Sequence, residues 1–218
     1  MHRWILGAGA LLAGVQGMSQ PATAPACAEP RSVVERFIDA DCAACWAAPA
    51  EAELPPGTWA LDWITPGTRG AQAPLALGAL AEGEARRAAI SARHSLTASG
   101  EAAWRLAVSP TLRLSVEGGP AWNGYLGLQL QSRGSAPAGA LAYLALVEDL
   151  PAGAEGNAST RRLVRAVAGP LALGNGPTRE LRALRIPEGA KPERLRGVAW
   201  WVDRDERLQG IAAEACPR

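Results

Sequence analysis

Val33-Val34-Glu35-Arg36-Phe37-Ile38-Asp39-Ala40-Asp41-Cys42-Ala43-Ala44-Cys45 is the stretch on which the fold reading turns. From Ser32 to Ala40 it carries β-branched and aromatic residues and reads as a strand. The C-x-x-C follows at once. Trp46 to Leu54 is rich in helix formers and is closed by Pro55-Pro56. Thr58 to Thr65 reads as a second strand and Leu77 to His94 as a second helix. The order strand, C-x-x-C at a helix start, strand, helix would put an exposed Cys42 at the positive end of a helix, which lowers a thiol's pKa below the free value of about 8.5. Cys45, one turn on and more buried, would then resolve a mixed disulfide. Cys42 and Cys45 are therefore the candidate catalytic residues. Asp39 and Asp41 act in the opposite direction, because negative charge beside Cys42 disfavours its thiolate.

Working outward, the chain has four cysteines in all, the other two being Cys27 and Cys216. The even number allows three connectivities; the parsimonious one closes Cys42–Cys45 and joins Cys27 to Cys216 as a structural disulfide that ties the mature N-terminus to the last residues. A zinc site built from all four thiolates is the competing arrangement, but structural sites generally use two close ligand pairs, and Cys27 and Cys216 stand at opposite ends. Pairing suits an oxidising compartment. Residues 1–26 read as a signal peptide: His2 and Arg3, an apolar run from Trp4 to Val15 too short to span a bilayer, then small residues, with cleavage after Ser19 or Ala26. The expected location is periplasmic or secreted, in a bacterium.

The 218 residues carry 22 Lys and Arg against 21 Asp and Glu, a formal charge of +1, which argues against a phosphate-tracking nucleic-acid binder. No second segment is apolar enough to cross a membrane. Beyond the leader only His94 remains to serve acid–base chemistry, and there is no nucleophile elbow, G-x-G-x-x-G or P-loop. No cofactor and no metal are expected.

From Trp104 onward helix signals thin out. Strand candidates recur at Leu112 to Glu117, Tyr125 to Gln131, Leu141 to Val147, Arg179 to Ile186 and Gly197 to Val202, separated by Gly, Pro and Asn. Leu126, Leu128 and Leu130 alternate with Gly127, Gln129 and Gln131, which predicts one buried and one wet face. Val198-Ala199-Trp200-Trp201-Val202 does not alternate and predicts a strand covered on both sides. Ser159 to Val167 reads as a short helix with Arg161, Arg162 and Arg165 along one side, either an anion-binding strip or a solvated face. Trp59, Trp63, Trp104, Trp122, Trp200 and Trp201 are read as core, with an aromatic groove as the alternative.

The segment Val33 to Cys45 resembles the opening of the DUF1223 family of exported thioredoxin-like proteins, whose strand has the form V-V-E-L-F-T-S before a C-x-x-C. Residues 141 to 216, with Glu155-Gly156-Asn157 and Arg161 to Arg165, resemble that family's tail. The resemblance implies a thioredoxin-like fold and thiol redox chemistry. The proline that would face the dithiol has one candidate, Ser109-Pro110. The expected fold class is thus α/β plus β: a thioredoxin-like region over residues 27–100 with the C-x-x-C at a helix start, then an antiparallel β-sandwich-like region over 101–218. Two functions are carried forward. One is a thiol–disulfide oxidoreductase acting on a thiol- or disulfide-containing protein partner through Cys42 and Cys45. The other is a non-catalytic envelope protein whose disulfides are structural and whose surface binds a partner.

Overall fold

The computed structural model describes residues 30–49, 54–106 and 111–214. The signal-peptide reading, Cys27, Cys216 and Ser109-Pro110 lie outside these. Ten strands and two α-helices follow in chain order. They are β1 (Ser32–Asp39), α1 (Ala43–Ala47), β2 (Thr58–Thr65), α2 (Ala81–Ser91), β3 (Glu101–Arg105), β4 (Leu112–Trp122), β5 (Tyr125–Gly134), β6 (Leu141–Leu150), β7 (Arg161–Ala172), β8 (Arg179–Arg185), β9 (Leu195–Val202) and β10 (Leu208–Ala213).

Seven strands form one mixed sheet in the order β10-β9-β6-β7-β2-β1-β3, and β4-β5-β8 form a second, antiparallel sheet. β1 runs parallel to β2, and β2 parallel to β7; the other pairings are antiparallel. Alternation along the strands divides the large sheet into two faces. On one face Trp59, Leu61 and Trp63 of β2 join Val198, Trp200 and Val202 of β9 beneath Ile90 of α2. On the other face the small sheet covers Leu144 and Leu146 of β6 and Trp201 of β9 with Leu126, Leu128 and Leu130 of β5. The disulfide segment covers the neighbouring part of that same face, where Trp46 packs with Ile38, Ile64 and Leu163. β9 is buried on both sides, and β5 shows the one dry and one wetter face that its alternation predicts.

This architecture overturns the expected fold class. A β-rich, sandwich-like arrangement is present, but no thioredoxin-like α/β layer: strands from both halves of the sequence share one sheet, and the parallel neighbours β2 and β7 are joined through α2 and four further strands rather than by a single helical crossover. The helix anticipated from Trp46 to Leu54 is instead a single turn that ends at Ala47, so the C-x-x-C does not open a full helix. Ala48 is extended (φ −61°, ψ 143°) because it precedes Pro49, whose ring disfavours the helical region for the residue before it. The helix anticipated over Ser159 to Val167 is strand β7. β3 and β10 have no counterpart in the sequence reading, and Leu77 to His94 is helical only over Ala81–Ser91, after a 3₁₀ turn at Ala76–Gly78.

Candidate functional site

Cys42 and Cys45 are joined by a disulfide with Cα atoms 5.3 Å apart, a normal bridging separation. Cys42 caps the turn of α1, and the Cys45 N–H donates to Cys42 Sγ at 3.2 Å. Cys45 is exposed and Cys42 only partly so. This reverses the exposure anticipated for the pair, because the chain leaving β1 tucks Cys42 against the strand end while the turn swings Cys45 outward.

Four contacts fix the turn. Trp46, 2% exposed, donates its indole N–H to the Glu155 carbonyl at 2.8 Å. The Arg161 guanidinium lies 4.6 Å over the Trp46 ring, a cation–π contact. Its Nη2 donates to the carbonyls of Trp46 (2.8 Å) and Ala48 (3.0 Å), satisfying oxygens that the abrupt helix end leaves free. On the other side, Asp41 accepts from the Thr68 N–H and hydroxyl, each at 2.7 Å, with Arg69 Nε 3.5 Å away. The Thr68 hydroxyl and the neighbouring amides and guanidinium hold the Asp41 carboxyl below its usual pKa, against a smaller opposing desolvation. Gly67 makes this loop possible: a Cβ there would stand 2.5 Å from Asp41 Cγ and 2.7 Å from Asp39 Oδ1. The acidic flank is therefore partly neutralised, with Asp41 turned into the 66–69 loop.

Beneath the turn lie two buried ion-pair groups that sequence reasoning missed. Asp62 of β2, fully buried, stands 3.3 Å from Arg36 Nε and 3.6 Å from Arg161 Nη1. Arg165 of β7 bonds Glu148 of β6 at 2.7 Å and reaches Glu155. The Arg161, Arg162 and Arg165 strip is thus neither an anion site nor a solvated helix face. In a strand, residues 161 and 165 share one face and are buried with carboxylate partners, while Arg162 lies on the other, 4.8 Å over Trp59. Burial pushes the Asp62 carboxyl above its ordinary pKa, outweighing the two guanidinium groups, whose contacts leave its oxygens without a hydrogen bond.

That shift has a measurable sign. A carboxyl with a raised folded-state pKa binds its proton more tightly in the folded chain, so its contribution to stability falls as pH rises above the unfolded value of 3.8. Asp62→Asn lacks this titration. Urea denaturation at a series of pH values is expected to show the stability difference between Asp62→Asn and the parent moving in the variant's favour from about pH 4 to 7. A flat difference, or one moving the other way, would mean that Arg36 and Arg161 hold the carboxyl ionised throughout.

A cleft of about 290 Å³ opens beside Trp46. Pro74, Leu75 and Leu77 give it an apolar wall, and Glu155 and Arg165 a polar one. Leu77 is 72% exposed. Elsewhere, His94 Nε2 is hydrogen-bonded to the Asp205 carbonyl at 2.6 Å and its ring lies edge-on to Trp104. Trp59, Trp63, Trp200 and Trp201 are buried, whereas Trp122 is 82% exposed. Among the described residues no group of three or more His, Cys, Asp and Glu side chains is placed to hold a metal ion, and no helix is long and apolar enough to cross a membrane.

Fold and site together define a β-rich, sandwich-like protein carrying an exposed C-x-x-C disulfide. No family model matches the chain and no curated protein matches it. Among solved structures it is similar to HBP35 of Porphyromonas gingivalis, with a TM-score of 0.52 over 85% of this chain and 74% of that one. The sequence identity is 9%, so the likeness concerns the fold alone.

Proposed function

We propose that the chain performs thiol–disulfide exchange at Cys42–Cys45 on a thiol- or disulfide-containing protein, in an oxidising compartment outside the cytoplasm. The observation that carries this reading is an exposed Cys45 bonded to a Cys42 sulfur that already accepts a backbone N–H. An incoming thiolate attacks Cys45 Sγ in line with the S–S bond. The new sulfur–sulfur bond forms as the old one breaks, and the electron pair leaves on Cys42 Sγ. The Cys45 amide hydrogen bond then stabilises that thiolate, making it a better leaving group. In the reverse direction the Cys42 thiolate attacks the mixed disulfide on Cys45 and releases the partner's thiolate. Cys45 thus carries the mixed disulfide and Cys42 resolves it, the opposite of the roles read from sequence. The cleft lined by Trp46, the residue after Cys45, is the surface offered to the partner. The resemblance of Val33 to Cys45 to the DUF1223 opening supports the same chemistry.

The bracing by Trp46 and Arg161 favours a second reading, in which the disulfide is a structural staple in a non-catalytic binding protein. A redox titration separates the two. An exchanging pair is expected to have a potential of about −270 mV or higher, and a structural one below about −300 mV. With a glutathione-disulfide substrate, Cys42→Ser is expected to accumulate a mixed disulfide on Cys45 without turnover, and Cys45→Ser to trap little. A pair that stays oxidised below about −300 mV would overturn the proposal.

A further inference from the structure

We propose that the outward face of the β4-β5-β8 sheet is a docking surface for an anionic lipid bilayer. The leucines of β5 on the inner face of this sheet pack against the large sheet, and its outer face is covered by no other element of the described chain. Among the described residues four large hydrophobic side chains are exposed, and three of them, Trp122, Tyr125 and Leu181, belong to this one small sheet. Register places them on one face, Trp122 and Tyr125 side by side and Leu181 further along it. Trp122 pairs with Tyr125 across the hairpin, Tyr125 with Arg185, and Gln129 with Leu181. Four residues along β8 separate Leu181 from Arg185, about 13 Å at strand rise.

The hairpin tip is built to project. Asn123 and Gly124 both have positive φ (49° and 78°), the two-residue turn that matches strand twist and sends its flanking side chains outward. Those side chains are Trp122, 82% exposed, and Tyr125, 46% exposed. An apolar ring with a polar edge suits the headgroup level of a bilayer.

Charge on the same face names the lipid. Arg113 lies opposite Arg133, and Arg179 opposite Gln131, so with Arg185 four guanidinium groups share the face with one carboxylate, Glu117. Arg113, Arg133 and Arg185 have no ion-pair partner among the described residues, whereas Arg179 donates to Gln129 at 2.7 Å and Gln129 to Glu117 at 3.3 Å. Glu180 and Arg182 pair with one another on the alternate positions of β8. A chain whose formal charge is only +1 therefore carries unpaired positive charge at both ends of this face: Arg185 opposite Tyr125 at the aromatic tip, and Arg113 with Arg133 at the far end, eight residues along β5 and about 26 Å away at strand rise. Electrostatic attraction plus shallow aromatic insertion is how peripheral proteins hold anionic membranes.

The test is co-sedimentation of the full chain with vesicles of phosphatidylcholine and phosphatidylglycerol in equal parts, against vesicles of phosphatidylcholine alone. Binding is expected to the anionic vesicles only and to be lost at about 1 M salt, where screening is nearly complete. Trp122→Ala and the pair Arg133→Gln with Arg185→Gln are each expected to weaken partitioning by about tenfold. All three positions are exposed, so unchanged thermal melts will show that the fold is intact. No binding to the anionic vesicles, binding indifferent to both variants, or retention by nucleic acid without vesicle binding would overturn the proposal.

Discussion

Arg86→Met is expected to destabilise the protein by about 3 to 5 kcal/mol, the effect of removing one partner from a buried ion pair. Arg86 projects from α2 toward β1 and is 3% exposed. Its Nε and Nη2 donate to the two oxygens of Glu35 at 3.0 and 2.9 Å, and its Nη1 and Nη2 reach the Glu206 carboxylate (2.8 Å) and carbonyl (3.1 Å). Glu35 is fully buried, and its one other side-chain donor is the Trp104 indole N–H at 2.7 Å. Methionine fills much of the arginine's volume, so the loss is electrostatic: a fully buried carboxylate is left with a single hydrogen bond, from Trp104. The double variant Glu35→Leu with Arg86→Met removes the stranded charge and is expected to recover a large part of the loss. Urea denaturation of the three proteins measures both effects. Equal stability of parent and Arg86→Met would show that Glu35 takes up a proton or reaches water at no cost.

The same pair explains why α2 sits where it does, and why the sequence does not show it. Glu35 reads as the polar position of a strand, and Arg86 as one of many arginines on a helix. Their meeting depends on β1 being an inner strand with α2 laid across it. Strands were legible where side-chain alternation or β-branching is a local property: β2 occupies Thr58–Thr65 as read, and β9 contains the anticipated non-alternating run. β7 was not legible, because Arg161 and Arg165 in a window with Ser159 and Leu163 fit a helix with a basic side. What makes them strand residues is a set of carboxylates on β2 and β6 that no short window contains. The C-x-x-C and its disulfide could be anticipated from spacing. The length of the turn could not, since alanines after Cys45 favour helix and only the Pro49 constraint on Ala48 opposes it. Trp46, the residue that anchors the site, differs from the other tryptophans by nothing in its local sequence except adjacency to Cys45.

That anchoring makes Trp46→Ala the second large effect, about 3 to 5 kcal/mol of lost stability, the usual cost of truncating a buried tryptophan. Three interactions go together. The side chain leaves its packing against Ile38, Ile64 and Leu163, the Glu155 carbonyl loses its donor, and Arg161 loses the ring beneath its guanidinium. The vacated space adjoins the open cleft, so water can enter, and relaxation of the turn offsets part of the cost. Trp46→Phe keeps most of the packing and removes only the indole hydrogen bond, an expected loss of about 1 to 2 kcal/mol. The two variants also separate stability from chemistry. With the turn held by one fewer element, reduction of Cys42–Cys45 by a small dithiol is expected to be faster in Trp46→Ala than in the parent, and near the parent's rate in Trp46→Phe. Denaturation curves and thiol-release kinetics on the same preparations give both readouts. If Trp46→Ala melts with the parent, the disulfide turn is held by Arg161 and the 66–69 loop alone, and Trp46 serves only as a wall of the cleft.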